Sequence, residues 1–312
     1  MSRRILFFID SLFDLDRVVT WLPILESLRN KPVEEVHLAS LEHQRPPLIF
    51  DELEHFQFHS LDQSKISLKN QQSFNRLVSQ IRPTTIHSLG SRSHNLVTFS
   101  HKVTRGIQRI MSFDDFESIN RATLFLLRNF SGRESLTLTV SHSLLQEFIA
   151  RQFPYHPVKL IPNVAPSLTS DRASARDQLL SEINLRAPAQ PPILVGCASN
   201  LAPAYRIKDL IWAMDLICCI RQDVHLVIFA LGDKTAAEHF VSLTEAGSNI
   251  HFVRANQSSP SSLAGLDIFW NTQTKRPCPA SMLAVMQLGV PVISVFGPET
   301  EDVLLPMRTG LS

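Results

Sequence analysis

Short apolar runs alternate with polar breaks along the whole chain, and most breaks lead into a stretch with helical spacing. Residues 5–9 (Ile-Leu-Phe-Phe-Ile) are the kind of continuous apolar run that a strand covered on both faces requires, and Asp10 and Ser11 close it. Residues 18–28 then put Val18, Leu22, Leu25 and Leu28 on one helical face. Further along, a strand is expected at 36–41, an amphipathic helix at 74–81 that stops short of Pro83, and a strand end at 85–88 leading into Gly90. Residues 136–140 read as a strand, 144–153 as a helix capped by Ser141, and 158–161 as a strand ended by Pro162. The second half restarts the pattern, with strands expected at 193–196, 224–231, 250–253, 267–270 and 290–295 and helices at 209–220, 236–246 and 280–288. Such alternation predicts βαβ units, hence parallel sheets that meet ligands at the carboxyl ends of their strands. A polar stretch ending in Pro188-Ala189-Gln190-Pro191-Pro192 marks the break between halves. The expected division is a Rossmann-like domain over 1–165, a connector over 166–190 and a second Rossmann-like domain over 191–312.

Composition narrows the class. The 312 residues suffice for two domains, and a hydrophobic share of 44% supplies two cores. A net charge of +1 does not point to nucleic acid as a partner. The four cysteines include no C-x-x-C pair, so neither a disulfide framework nor a zinc site is indicated, and a reducing, cytoplasmic setting is expected. His55 and His59 lie four residues apart without a wider ligand cluster, so no metal site is assigned. Asp10 interrupts the N-terminal apolar run, and no run approaches a membrane span. Between Asp62 and Asp114 there is no carboxylate, while Lys65, Lys69, Arg76, Arg82, Arg92, Lys102, Arg105 and Arg109 accumulate. Two readings stand for this window: charges solvated over several elements, or a basic face that meets a phosphorylated acceptor or, peripherally, the anionic cytoplasmic membrane surface. Only 10 glycines are present, few for domains that bring backbone against phosphate.

Several segments carry a family resemblance. Leu266-Asp267-Ile268-Phe269-Trp270, the gap-free stretch through Met282 and Met286, and Gly289-Val290-Pro291-Val292-Ile293 form the densest match. Upstream lie Asp223-Val224-His225-Leu226-Val227-Ile228-Phe229-Ala230-Leu231-Gly232 and His251-Phe252-Val253. In the first half the matching segments are residues 5–28, Val140-Ser141-His142-Ser143-Leu144 and Lys159-Leu160-Ile161-Pro162-Asn163-Val164. Together these resemble the retaining family 4, or group 1, glycosyltransferases across nearly the whole chain. The resemblance implies an α/β protein of the B-type glycosyltransferase fold, two Rossmann-like domains with parallel sheets facing a cleft. Members of that family usually continue past the position of Gly310-Leu311, so the expectation is either a member with a shortened second domain or a cut reading frame. It also implies retaining sugar transfer from a nucleotide-sugar co-substrate to a glycan or lipid-linked acceptor, as in polysaccharide assembly, with no separate cofactor and no metal.

The chain departs from the family pattern at the positions that do chemistry. Two glutamates eight residues apart, which hold the donor sugar and the ribose, are Arg276 and Ala284 here. The histidine of a mid-domain His-Asp pair is replaced by Phe113, before Asp114. The glycine-rich first loop reads Phe13-Asp14-Leu15-Asp16, where backbone cannot approach a phosphate as closely. No catalytic residue is therefore assigned. On the donor side the candidates are Gly196, Arg206, Lys208, Gly232, Asp233, Thr272, Gln273 and Arg276; Arg206 and Lys208 would supply permanent positive charge against a diphosphate leaving group. On the acceptor side they are Asp10, Asp14, His87 and Asp114. A catalytically inactive relative that keeps the scaffold for binding is the alternative.

Overall fold

A computed structural model describes residues 3–10, 24, 27, 35–41, 56–61, 68–113, 119–130, 136–141, 143–165, 168, 170–185, 191–199, 201, 206–230, 234–254, 260–273, 280–295, 300 and 303–304. These fall into two compact units, one ending at Pro162 and the other beginning at Asn163.

In the first unit seven strands are described: β1 (Arg4–Ile9), β2 (Glu35–Ser40), β3 (Phe56–Ser60), β4 (Thr85–Leu89), β5 (Gln108–Phe113), β6 (Leu136–Val140) and β7 (Val158–Leu160). They form one parallel sheet in the order β3-β2-β1-β4-β5-β6-β7. Helices α1 (Leu68–Ile81), α2 (Ser91–Phe99), α3 (Arg121–Phe130) and α4 (Ser143–Gln152) connect strands from β3 onward. Alternation within the strands sends Leu6, Phe8, Ile86, Met111 and Leu138 to one core, where they meet Phe74, Leu77 and Val78 of α1, Val97 of α2 and Ile149 of α4. The Phe8 and Phe74 rings pack 4.7 Å apart at its centre.

The second unit opens with α5 (Arg172–Glu182), inside the stretch read from sequence as a connector. Asp171 caps it by accepting from the Ala173 and Ser174 amides at 3.3 Å each. The described strands β8 (Ile193–Ser199), β9 (Val224–Ala230), β10 (Ile250–Arg254), β11 (Ile268–Asn271) and β12 (Val292–Ser294) form a parallel sheet in the order β10-β9-β8-β11-β12. Helices α6 (Ile207–Cys218) and α7 (Thr235–Val241) cover one face, and α5 and α8 (Ala280–Gln287) the other. The helix expected over 236–246 ends at Val241, and a short 3₁₀ turn, Glu245–Asn249, carries the chain into β10. The helix expected at 18–28 lies outside the described residues except at Ile24 and Ser27, both helical.

Asp267 locks α5 onto this sheet. Its carboxylate accepts from Arg172 Nη2 at 3.0 Å, from Arg176 Nη1 at 2.9 Å and from the Leu194 amide at 2.8 Å. Arg176 also donates to the carbonyls of Gly265 and Pro192. Gly265 permits the close approach, since a Cβ there would lie 2.8 Å from the backbone of Ala175 and Arg176. Among the described residues no helix is long and apolar enough to cross a membrane.

Candidate functional site

In open parallel sheets ligands gather where the strand order reverses, beyond the carboxyl ends of the two strands at that point. In the first unit the reversal falls between β1 and β4, and its ends are Asp10 and Gly90. Asp10 follows β1 directly and is buried. Its Oδ1 accepts from the Ser93 amide at 2.6 Å and its Oδ2 from the Arg92 amide at 3.1 Å, so the carboxylate sits on the N-terminus of α2. The Arg92 guanidinium adds an ion pair at 3.7 Å. Gly90 makes room: with φ 96° and ψ 153° it occupies backbone space essentially restricted to glycine, and a Cβ would stand 2.5 Å from the Asp10 carboxyl. Asp10, a candidate acceptor contact from sequence, thus neutralises a helix end within its own unit.

On β4 itself, His87 bonds through Nε2 to Ser112 Oγ of β5 at 2.6 Å, and Ser112 Oγ continues to Thr139 Oγ1 of β6 at 2.6 Å. On the other face of the sheet the fully buried His94 donates from Nε2 to the Ser112 carbonyl at 3.1 Å. Its Nδ1 therefore accepts from Ser88 Oγ at 2.8 Å. Phe113, at the position of the family's histidine, is fully buried with its ring 4.6 Å from that of His94. Asp14 and Asp114 lie outside the described residues. Of the basic window, Lys69, Arg76, Arg82, Lys102 and Arg105 are exposed, Arg92 pairs with Asp10, Arg109 is interior, and Lys65 is outside the described residues.

The second unit reverses between β8 and β11. Here the carboxyl edge is polar and mostly enclosed: Ser199 ends β8, Asn271 ends β11 and is followed by Thr272 and Gln273, and Ser294 ends β12, all buried. Asn271 donates from Nδ2 to Ser294 Oγ at 3.0 Å, and its Oδ1 accepts from the Gln273 amide at 3.3 Å. Across the β8–α6 turn, Arg206 stands at the helix start in the left-handed region, φ 49°, and its exposed guanidinium meets Asp209 at 2.6 Å. Lys208 lies in the first turn with Nζ 5.6 Å from the Phe240 ring centre. Arg206, Lys208, Thr272 and Gln273 therefore occupy the same edge of one sheet.

Gly196 is placed differently from these. It sits mid-strand, in register with Phe269 and Val227, and a Cβ would lie 2.2 Å from Leu266 Cδ1, so its small size serves core packing. Ala284 is fully buried in the apolar cluster under α8. Gly232, Asp233 and Arg276 lie outside the described residues. Ser199, Asn271 and Ser294 were not picked out as site residues from sequence; a polar residue ending a parallel strand at the reversal is the signal that would find them.

Each sheet also carries a cross-strand histidine pair near the edge bearing β3 or β10. His37 Nδ1 lies 3.0 Å from His59 Nε2, and His225 Nδ1 lies 3.1 Å from His251 Nε2. Among the described residues no group of three or more His, Cys, Asp or Glu side chains is arranged to hold a metal. Burial, and then the neighbouring His225, push the His251 imidazole down to about 4; burial, and then His94, do the same for His87. Because both folded values lie below the ordinary 6.5, the unfolded chain binds more protons through the intervening range. The stability these neutral rings contribute is complete above pH 6.5 and drains as pH falls toward 4. Buried His87 should account for about 2 kcal/mol of loss between neutrality and pH 5, above the main carboxylate range, and the more solvent-screened His251 for less. Urea midpoints of the wild type should fall over that interval and those of a His87→Gln/His251→Gln double variant should change far less; equal slopes would contradict the assignment.

No protein-family model matches the chain, and no curated protein matches it in sequence. Solved structures do match it in fold. HepE from Anabaena, in complex with UDP-glucose, aligns over 99% of this chain and 84% of its own with a TM-score of 0.73 at 13% identity. Sucrose-phosphate synthase from Thermosynechococcus elongatus aligns over 99% and 85% with 0.69 at 15% identity. TarM aligns over 100% and 88% with 0.66 at 10% identity. With its two parallel α/β sheets, this chain has the B-type glycosyltransferase fold.

Proposed function

We propose that this protein is a glycosyltransferase that takes its sugar from a nucleotide-sugar donor, bound at the β8/β11 reversal of the second unit, and passes it with retention to a glycan or lipid-linked acceptor. The observation that supports it is topological: the start of α6, with Arg206 and Lys208, and the polar segment Asn271–Gln273 follow the two strands of one order reversal. A diphosphate leaving group gathers negative charge as the glycosidic bond breaks, and fixed positive charge with a helix N-terminus stabilises that change. Arg206 must leave Asp209 to serve it, which is inexpensive: an exposed pair contributes at most about 1 kcal/mol, whereas a charge-assisted bond to phosphate is about twice as strong as a neutral one. In the fold relatives, HepE has been crystallised with UDP-glucose and with UDP. The reading uses no metal and no cofactor beyond the nucleotide-sugar.

A second reading, a scaffold that binds a nucleotide-sugar without turning it over, draws on two positions. Ala284 has neither a carboxylate nor access to solvent, and Phe113 puts a buried ring where the family has a histidine. Calorimetry with UDP, GDP and ADP tests what both readings share, and product analysis with the matching sugar nucleotides separates them. At least one nucleotide should bind saturably, and Arg206→Ala should weaken it roughly tenfold, equivalent to about 1.4 kcal/mol. Binding without transfer or donor hydrolysis would support the scaffold; absence of binding to all three would remove both.

A further inference from the structure

Helix α6 is apolar on both sides. Its inner face buries Leu210, Ile211 and Met214 against the sheet. Its outer face carries Trp212 and Leu216, one turn apart and 63% and 67% exposed, and Ile220 continues the line just past the helix end at 87%. Leu243, 69% exposed, lies beyond the end of α7, whose Phe240 ring stacks on Trp212 at 6.4 Å. A helix facing water normally turns polar residues outward. From Leu210 to Ile220 the one charged side chain is Asp215, and it is turned inward to accept from the Ala246 amide at 2.9 Å.

We propose that this stripe is a self-association surface, on which a second copy of the chain lays its own α6 antiparallel across a two-fold axis near Leu216. Three observations select that occupant. The stripe is centred: Trp212 and Ile220 each lie four residues from Leu216, so reversal brings Trp212 of one copy against Ile220 of the other, as an isologous contact requires. The four exposed side chains offer roughly 500 Å² per copy, so two copies reach the ~1,000 Å² at which a specific interface becomes sustainable. The flanking arginines are matched within the chain, Arg206 with Asp209 and Arg221 with Asp223, which leaves Lys208, over the Phe240 ring, as a single cation beside the stripe. An anionic membrane would instead select a cluster of unpaired cations around the apolar residues; a self-complementary stripe with a single lysine at its edge suits its own copy.

Sedimentation velocity of the full chain from low to high micromolar concentration should show a monomer–dimer equilibrium. Leu216→Glu, which sets two like charges facing each other at the axis, should raise the dissociation constant at least tenfold, and Ile220→Lys should weaken it as well. Both positions are exposed, so the melting temperature extrapolated to low concentration should match the wild type, separating lost association from lost folding. A wild type that stays monomeric throughout, or a dimer indifferent to Leu216→Glu, overturns the proposal. Cosedimentation with neutral and anionic vesicles completes the test: vesicle binding by a monomeric chain that Leu216→Glu abolishes would assign the face to lipid and likewise overturn it.

Discussion

Gly90→Ala should destabilise the first unit by about 4 kcal/mol, enough to consume a large part of a typical domain's stability. Two costs combine. A residue with a Cβ does not occupy φ 96°, ψ 153° without strain on the order of 1–3 kcal/mol. The new methyl would also stand 2.5 Å from the Asp10 carboxyl, which cannot withdraw without surrendering the Arg92 and Ser93 amides, charge-assisted bonds of about 1.5–3 kcal/mol each. The pair should be strongly non-additive: in an Asp10→Ala background the clash disappears and only the backbone strain remains. Denaturant titrations of the two single variants and the double variant measure this. Equal effects of Gly90→Ala in both backgrounds would show that the carboxyl does not set the requirement.

Asp267→Ala should lower the stability of the second unit by about 3 kcal/mol. The substitution leaves Arg172 and Arg176 without their counter-charge and the Leu194 amide without its acceptor. Breaking a buried pair costs about 3–5 kcal/mol; Asp267 is partly exposed, which places the expectation at the low end. For a unit of this size that corresponds to a fall in melting temperature of about 6–12 °C. Asp267→Asn keeps an oxygen toward Leu194 and should lose about half as much. Calorimetric scans resolving the two units would show the second transition falling while the first holds, and an unmoved second transition would remove Asp267 from this role.

All the described strands except β3 and β5 can be read from sequence; β1 and β8 open on continuous apolar runs, as a parallel strand covered on both faces requires. The elements that escaped are built the other way. Helix α2 buries Ser93, His94, Asn95 and Thr98, so hydrophobic spacing does not reveal it, and β5 hides Arg109 within Gln-Arg-Ile-Met-Ser-Phe. His94 can be internal because other elements supply its partners, Ser88 Oγ and the Ser112 carbonyl, and that pairing is a tertiary fact. The same limit governs the sites. That Asp10 ends a strand is local information; that its oxygens are taken by residues 82 and 83 positions away is not. A glycine within a strand signals close approach, but only the packed structure names Leu266 as what approaches Gly196.

The Asp10 carboxylate at the head of α2 makes the two sheets electrically unlike. A helix start offers about half a positive charge, and in the first unit a tethered anion already consumes it. At the order reversal of the first sheet the helix start and the Arg92 guanidinium are therefore already engaged by a carboxylate of the chain itself.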